Sequence, residues 1–329
     1  MSNTIRLKNG ETMVCRVIDD PKDEEAPGLR NLLVHKDDIW QYHLDAWMSG
    51  DIESLETSFC VGSIDDELVG NIMTQMHRGI GLMGHVFTKP NHRRKGICDA
   101  LMEMHKADFV ERGGSAVFLG TGYESAPYHI YYRHGYRDVP KRPGSMWWSP
   151  CGSRDIEKLY EDLYGDLAGL NIEEVNWRQW PSMNVFTHLP MARMPQLVRS
   201  AAHELFGVCQ SESGFLSVIK TNSDDKDAKM LVVETREGHV AGLATLASEK
   251  RWGPFAATYV FDICLHPNQH DIAEDLLEGI EWPNQHVLAY AAETDKGHIG
   301  LLSQAGFQKH SQIERFFEGG IGLVIMDRQ

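Results

Sequence analysis

An order of elements that occurs twice constrains this chain most. In each half of its 329 residues a strand is followed by a helix, a second strand and a short helix ending in glycine and an aromatic residue, at Gly135-Tyr136 and again at Gly306-Phe307. Alternating strands and helices call for a sheet covered by helices, and repetition of the order reads as an internal duplication. At about 150 residues per domain the length supports two such cores. The expectation is an α/β fold with mixed sheets (α+β), divided into a first domain over 1–150, a helical linker region over 151–182 and a second domain over 183–329. The cut falls in the turn-rich stretch 141–153, where Met146-Trp147-Trp148 can still supply a last strand to the first domain. Beyond it Ile156, Leu159, Tyr160, Leu163, Tyr164 and Leu167 keep helical spacing, which fits a helix between the domains or a core helix of the second.

Within the first half, Met13 to Ile18 reads as a strand, Glu24 to Leu33 and Asp38 to Met48 as helices, and Thr57 to Ile64 with Glu67 to Gln75 as a hairpin about Asp65-Asp66. Ile80 to Thr88 is a further strand. Apolar residues at Ile97, Leu101, Met104, Ala107 and Val110 predict a helix stopped by Gly113-Gly114. Ala116 to Leu119 is a buried strand, and the next helix has Ser125 as N-cap, Pro127 in its first turn and Gly135 as its stop. In the second half Met194 to Phe206 reads as helix. Strands are expected at Phe215 to Lys220, Met230 to Arg236, His239 to Ser248, Thr258 to Leu265 and Val287 to Ala292, with helices from Ile272 to Ile280 and from Gly297 to Gly306.

Thirty-two basic against 47 acidic side chains leave a formal charge of −15, which disfavours nonspecific binding to nucleic acid or an anionic membrane. The six cysteines form no CxxC pair, so neither a zinc ribbon nor a disulfide framework is indicated. No segment approaches the apolar length of a spanning helix and the first residues lack the apolar core of a signal peptide, so the expected setting is soluble and cytoplasmic. His266 and His270 have helical metal-pair spacing, but Pro267 argues for a loop, and no metal is expected.

Chemistry concentrates where the strand at Thr88 gives way to Arg93-Arg94-Lys95 and then to a helix. A helix start offers unpaired N–H donors and a partial positive charge, Gly96 admits close backbone approach, and the basic side chains add attraction, so a diphosphate is well served there. A solvated basic turn is the alternative.

Arg93-Arg94-Lys95-Gly96-Ile97-Cys98 resembles the acyl-CoA diphosphate loop of the GNAT N-acetyltransferase superfamily, with Cys98 departing from the usual Gly or Ala. Ala126 to Tyr136 is similar to the same superfamily's Ala-x-x-x-x-Tyr-x-x-x-Gly-aromatic segment, which puts Tyr131 near the thioester sulfur. The resemblance covers mainly residues 57 to 140. It implies acetyl-CoA as co-substrate, held by the backbone of Val86, Phe87 and Thr88 and by Arg93, Arg94, Lys95, Gly96, Ile97 and Cys98. It also implies Tyr131 as donor to the leaving thiolate. His85 and Glu124 are the candidate bases for the amine, although a structural histidine fits His85 equally, and the alternative for Tyr131 is a core residue. Asp37 and Asp38, ahead of Trp40 and Tyr42, could meet a cationic substrate or merely cap a helix.

In the second half the corresponding loop is two residues shorter and lacks the glycine, Asp271 stands where a diphosphate would sit, and Leu302 stands where Tyr131 does. The whole chain therefore looks like two tandem GNAT-like acyl-CoA N-acyltransferase domains with a degenerate second copy. The expected activity is direct transfer of acetyl from acetyl-CoA to a primary amine of a small molecule or peptide, with a homodimer allowed. A noncatalytic acyl-CoA-binding or scaffold protein is the rival, and a different acyl group or acceptor is a third reading. No Walker loop and no Gly-x-Ser-x-Gly elbow occurs.

Overall fold

The computed structural model describes residues 2–52, 54–140, 142–152, 155–188, 214–248, 258–266, 272–316 and 318–329. It divides into two compact units. The first includes residues up to Lys158, Trp177–His188 and residues 214–216; the second includes Leu159–Asn176 and Ser217–Gln329.

The first unit is built on eight strands: β1 (Ser2–Arg6), β2 (Thr12–Ile18), β3 (Glu56–Ile64), β4 (Glu67–His77), β5 (Ile80–Thr88), β6 (Ala116–Gly120), β7 (Arg137–Val139) and β8 (Arg142–Trp148). Their order is β1-β2-β3-β4-β5-β6-β8-β7, with only β5 and β6 parallel. The β3–β4 hairpin turns on Asp65 and Asp66, at φ 50° and 63°, the left-handed pair that matches the twist of two antiparallel strands.

Helix α1 (Ala26–Leu32) and α2 (Asp38–Ser49) lie between β2 and β3 in the chain, α3 (Ile97–Glu111) follows β5, and α4 (Ala126–Arg133) follows β6. Helix α2 starts because the Asp37 side chain accepts from Trp40 N and ends at Gly50, φ 84°. Ser125 caps α4 in the same way through Tyr128 N. Side chains of α3 and α4 share one core with β2 to β6, including Met13, Cys60, Ile72, Leu101, Phe109 and Tyr131. Helix α3 lies so close to the sheet that a Cβ on Gly81 would stand 2.5 Å from the Phe109 ring. After α5 (Ile156–Tyr164), which falls across the division between the units, α6 (Trp180–His188) packs against β4, β5 and β6 of the first unit.

The second unit has seven strands: β9 (Asn171–Glu174), β10 (Lys229–Glu234), β11 (Val240–Ser248), β12 (Thr258–Leu265), β13 (His286–Ala292), β14 (Gln308–Ile313) and β15 (Leu323–Arg328). They run β14-β15-β13-β12-β11-β10-β9, again with one parallel pair, β12 and β13. Outward from the parallel pair, β4-β3-β2 corresponds to β11-β10-β9 on one side and β8-β7 to β15-β14 on the other, so the two sheets share order and direction. The correspondence extends to the helix ends. Tyr136 N bonds Tyr131 O after α4, and Phe307 N bonds Leu302 O after α9 (Lys296–Gln304), each beyond a left-handed glycine.

One expectation is overturned. Phe215 to Lys220, read as a strand, lies inside a helix, α7 (Gly214–Asp224). Among its described side chains Phe215, Leu216 and Ile219 are buried, a spacing of one and four that suits a helix, and the apolar run concealed it. The helix expected at Met194 to Phe206 and the loop carrying Pro267, His270 and Asp271 lie outside the described residues. Helix α8 (Ala273–Glu278) is shorter than expected. Among the described residues no helix is long and apolar enough to cross a membrane, and no group of three or more potential metal ligands is found.

Candidate functional site

Strands β5 and β6 pair over only three residues, Ile80, Gly81 and Leu82 with Ala116, Val117 and Phe118. Beyond Leu82 the two parallel strands part, and the wedge opens at their carboxyl ends, where sheets of this type bind ligands. Val86, Phe87 and Thr88 are half-buried along this parted stretch, while Phe87 and Thr88 keep their pairing to Asn71 and Gly70 of β4.

The turn from β5 into α3 closes the mouth of the wedge. After one 3-10 turn at Pro90–His92, Arg94 takes φ 63° and Gly96 φ 93°, and α3 begins at Ile97 with no side-chain cap. The first intrahelical bond runs from Ala100 N to Gly96 O, so the amides of Ile97, Cys98 and Asp99 have no partner within the helix. The nearest atoms to a Cβ on Gly96 would be those of the Lys8 side chain, at 3.4 Å and beyond.

Several nearby cations are already engaged. Lys95 Nζ pairs with Glu11 at 2.8 Å, and Lys8, Arg133 and His134 surround Asp99 at 3.4, 3.1 and 3.1 Å. Burial pushes the Asp99 carboxyl up, but hydrogen bonds from His134 and Arg133 outweigh it and hold the group below its ordinary value. Arg93 Nε donates to Thr88 O at 3.2 Å. Arg94 is exposed and has no carboxylate partner among the described residues. The loop thus supplies amides, a glycine cradle and a free guanidinium, which fits a diphosphate.

Tyr131 is 6% exposed and shares a core with Ile97, onto which Val86 and Cys98 pack. The adjoining Tyr136 hydroxyl lies 2.8 Å from His105 Nε2, whose Nδ1 is 2.7 Å from Thr74 Oγ1. Burial pushes the Cys98 thiol up to about 11, which makes it a packing group rather than a nucleophile.

The two base candidates fall in different surroundings. Glu124 is exposed in the loop after β6, with His129 Nε2 at 3.4 Å. His85 is 1% exposed at a bulge in β5, where pairing to β4 slips between Asn71 and Met73 and His85 adopts φ 51°. Its ring lies 4.3 Å from that of Trp40, and its Nε2 is 3.4 Å from His43 Nδ1. His43 Nε2 in turn contacts Gln75 Nε2, and Thr57 Oγ1 donates to Gln75 Oε1 at 3.1 Å. Burial drives His85 well below its ordinary pKa, with His43 and Lys36 adding to the shift, and burial alone takes His43 down to about 3. Both rings are neutral near pH 7. Trp177 and Trp180 pack on His43 at 6.0 and 5.1 Å. Asp37 serves as the α2 cap, and Asp38 is exposed in the first turn.

Sequence reasoning passed over Asn71, Gln75, His43, Trp177 and Trp180. A signal existed for the first two: Asn71 and Gln75 share one face of a mostly apolar strand with Met73. His43 lies on the buried stripe of α2 with Trp40, Leu44 and Trp47.

Comparison with known proteins follows this geometry. Residues 26–136 match the family model described as acetyltransferase (GNAT) family. Similar solved structures include an N-acetyltransferase from Staphylococcus aureus Mu50, with 15% identity, 49% of this chain and 99% of that one covered, and a TM-score of 0.38. A spermidine N-acetyltransferase from Vibrio cholerae in complex with CoA and spermine gives 15%, 49%, 95% and 0.36. The protein yncA from Salmonella typhimurium, with its cofactor acetyl-CoA, gives 16%, 49%, 93% and 0.38. A comparison with curated protein sequences finds no match. The chain carries a GNAT acetyltransferase domain over residues 26–136.

Proposed function

We propose that the first unit transfers an acetyl group from acetyl-CoA to a primary amine of a small molecule or peptide by direct attack. The observation that carries this reading is the wedge of β5 and β6 leading into uncapped amides at the start of α3. The diphosphate would lie on Arg94 to Cys98, with the backbone of Val86, Phe87 and Thr88 pairing to the pantetheine amides as an added strand. Arg93 and Lys95 supply further positive charge. The amine lone pair forms the C–N bond, the carbonyl pair moves onto oxygen, and collapse breaks C–S. The sulfur leaves as thiolate and takes a proton from the Tyr131 hydroxyl. Glu124 and His85 are the proposed acceptors of the amine's proton.

The second unit would be a degenerate copy that supports the first or shapes its acceptor site. Its matching sheet order and Leu302 in place of Tyr131 favour this. A cytoplasmic setting and a homodimer complete the proposal.

Thiol release from acetyl-CoA against a panel of primary amines, spermidine included, tests the activity, with Tyr131→Phe as control. Release that depends on an amine and falls in the variant is expected. Tight acetyl-CoA binding without release on any amine would favour a noncatalytic binder.

A further inference from the structure

The first unit also contains a cavity at the end of its sheet away from the wedge. It encloses about 350 Å³, a size that suits a small organic ligand, and Trp47, Ile52 and Leu55 give it apolar walls. Strand register fixes its place. Glu56 and Thr57, which line it, pair with Met76 and Gln75 of β4, and these pair with Gly81 and Leu82 of β5, where β5 and β6 are still joined. Arg112, which also lines it, directly follows α3, whose 15 residues set it about 22 Å from the helix start at Ile97. The cavity is therefore separate from the wedge.

The charges that line it do not balance. Arg112 is mostly buried and holds Asp108 at 2.8 Å and the Ser58 hydroxyl at 2.9 Å, with Glu56 at 3.7 Å, so two carboxylates share one guanidinium. Asp19, on the same cavity, is exposed and its carboxylate has no hydrogen-bond or ion-pair partner among the described residues. Helix α2 ends at Gly50, another lining residue, and a helix C-terminus adds partial negative charge. An anion would meet a surplus of like charge there. A cation with an apolar body answers both the charge and the walls, and an ammonium that reaches the face of the Trp47 ring gains further attraction.

We infer that this cavity is a second ligand site, for an amphipathic monoamine whose ammonium is held by Asp19 and Glu56 and whose alkyl or aryl body lies against Trp47, Ile52 and Leu55. The site is apart from the acceptor position of the acetyl transfer proposed above and does not depend on that reaction.

Titration calorimetry of 2-phenylethylamine into the full chain tests it, with 2-phenylethanol and 3-phenylpropionate as neutral and anionic molecules of similar shape. The amine should bind with a Kd at or below about 1 mM, the alcohol at least about fivefold more weakly, and the acid undetectably. Asp19→Asn should weaken the amine by about fivefold, and Asp19→Lys should abolish its binding. Asp19 is exposed, so both variants should melt as the parent does. A diazirine derivative of the amine should label peptides within residues 47–57, read by peptide mass, and saturating CoA should leave that labelling in place. Gly96→Asp should lose acetyl-CoA and keep the amine. No amine binding, equal affinity for amine and alcohol, Asp19 variants that bind as the parent does, or labelling confined to other peptides overturns the inference alone. Amine binding at the cavity of a protein that neither binds acetyl-CoA nor releases thiol contradicts the acetyl-transfer reading and supports the separate site.

Discussion

Gly96 is where backbone conformation and charge meet. At φ 93° any L side chain is strained, although space for a Cβ exists. Gly96→Ala should therefore cost about 1 kcal/mol of stability and weaken acetyl-CoA modestly. Gly96→Asp also sets a carboxylate against a diphosphate, and its affinity should fall by at least about a hundredfold, roughly 2.7 kcal/mol, in calorimetry on a protein that still melts cooperatively. Tyr131→Phe should lower kcat by about 10- to 100-fold with acetyl-CoA binding intact, as expected for loss of one proton donor. At Cys98 the raised thiol pKa of about 11 gives a third expectation: Cys98 should resist a thiol reagent at pH 8 while exposed Cys151 reacts, as read by peptide mass. Rapid labelling of native Cys98 would contradict the packing role.

Elements explain how much of this the sequence disclosed. Helix α3 was legible because its apolar stripe is periodic and its ends are punctuated by glycine. The β3–β4 hairpin was legible from Asp65-Asp66, and α4 from Ser125, Pro127 and Gly135. The basic turn stood out in an acidic chain, and its place between a strand and a helix was correctly anticipated. What stayed hidden depends on contacts distant in sequence. The bulge at His85 is set by slipped pairing to β4, which no local pattern records. Helix α6 packs on strands that precede it by about a hundred residues, and α7 was mistaken for a strand because an apolar run of that length does not distinguish the two. Close packing of α3 gives a test at this scale. Gly81→Ala would place a methyl 2.5 Å from the Phe109 ring and should destabilise the unit by about 1–3 kcal/mol in denaturant titration.

For the molecule as a whole, buried neutral histidines set the acid limit. His43 and His105 both fall from 6.5 to about 3 on burial. Above pH 6.5 neither state binds these protons, and the contribution to stability is constant. As pH falls from 6.5 toward 3 the unfolded chain takes them up and the native one does not, so stability declines by about 1.4 kcal/mol per pH unit for each residue. Melting temperature should therefore drop between pH 7 and pH 5, and replacing both with Gln should flatten that drop.

The two sheets share order and direction, yet Leu302 stands where the first unit has Tyr131, and the second-half loop with Asp271 lacks the glycine of the first. Acyl-CoA is therefore proposed to bind one unit and not the other. Titration calorimetry of acetyl-CoA into the full chain should give one site per molecule, abolished by Gly96→Asp and unchanged by Asp271→Ala. Two sites, or a single site that survives Gly96→Asp, would contradict it.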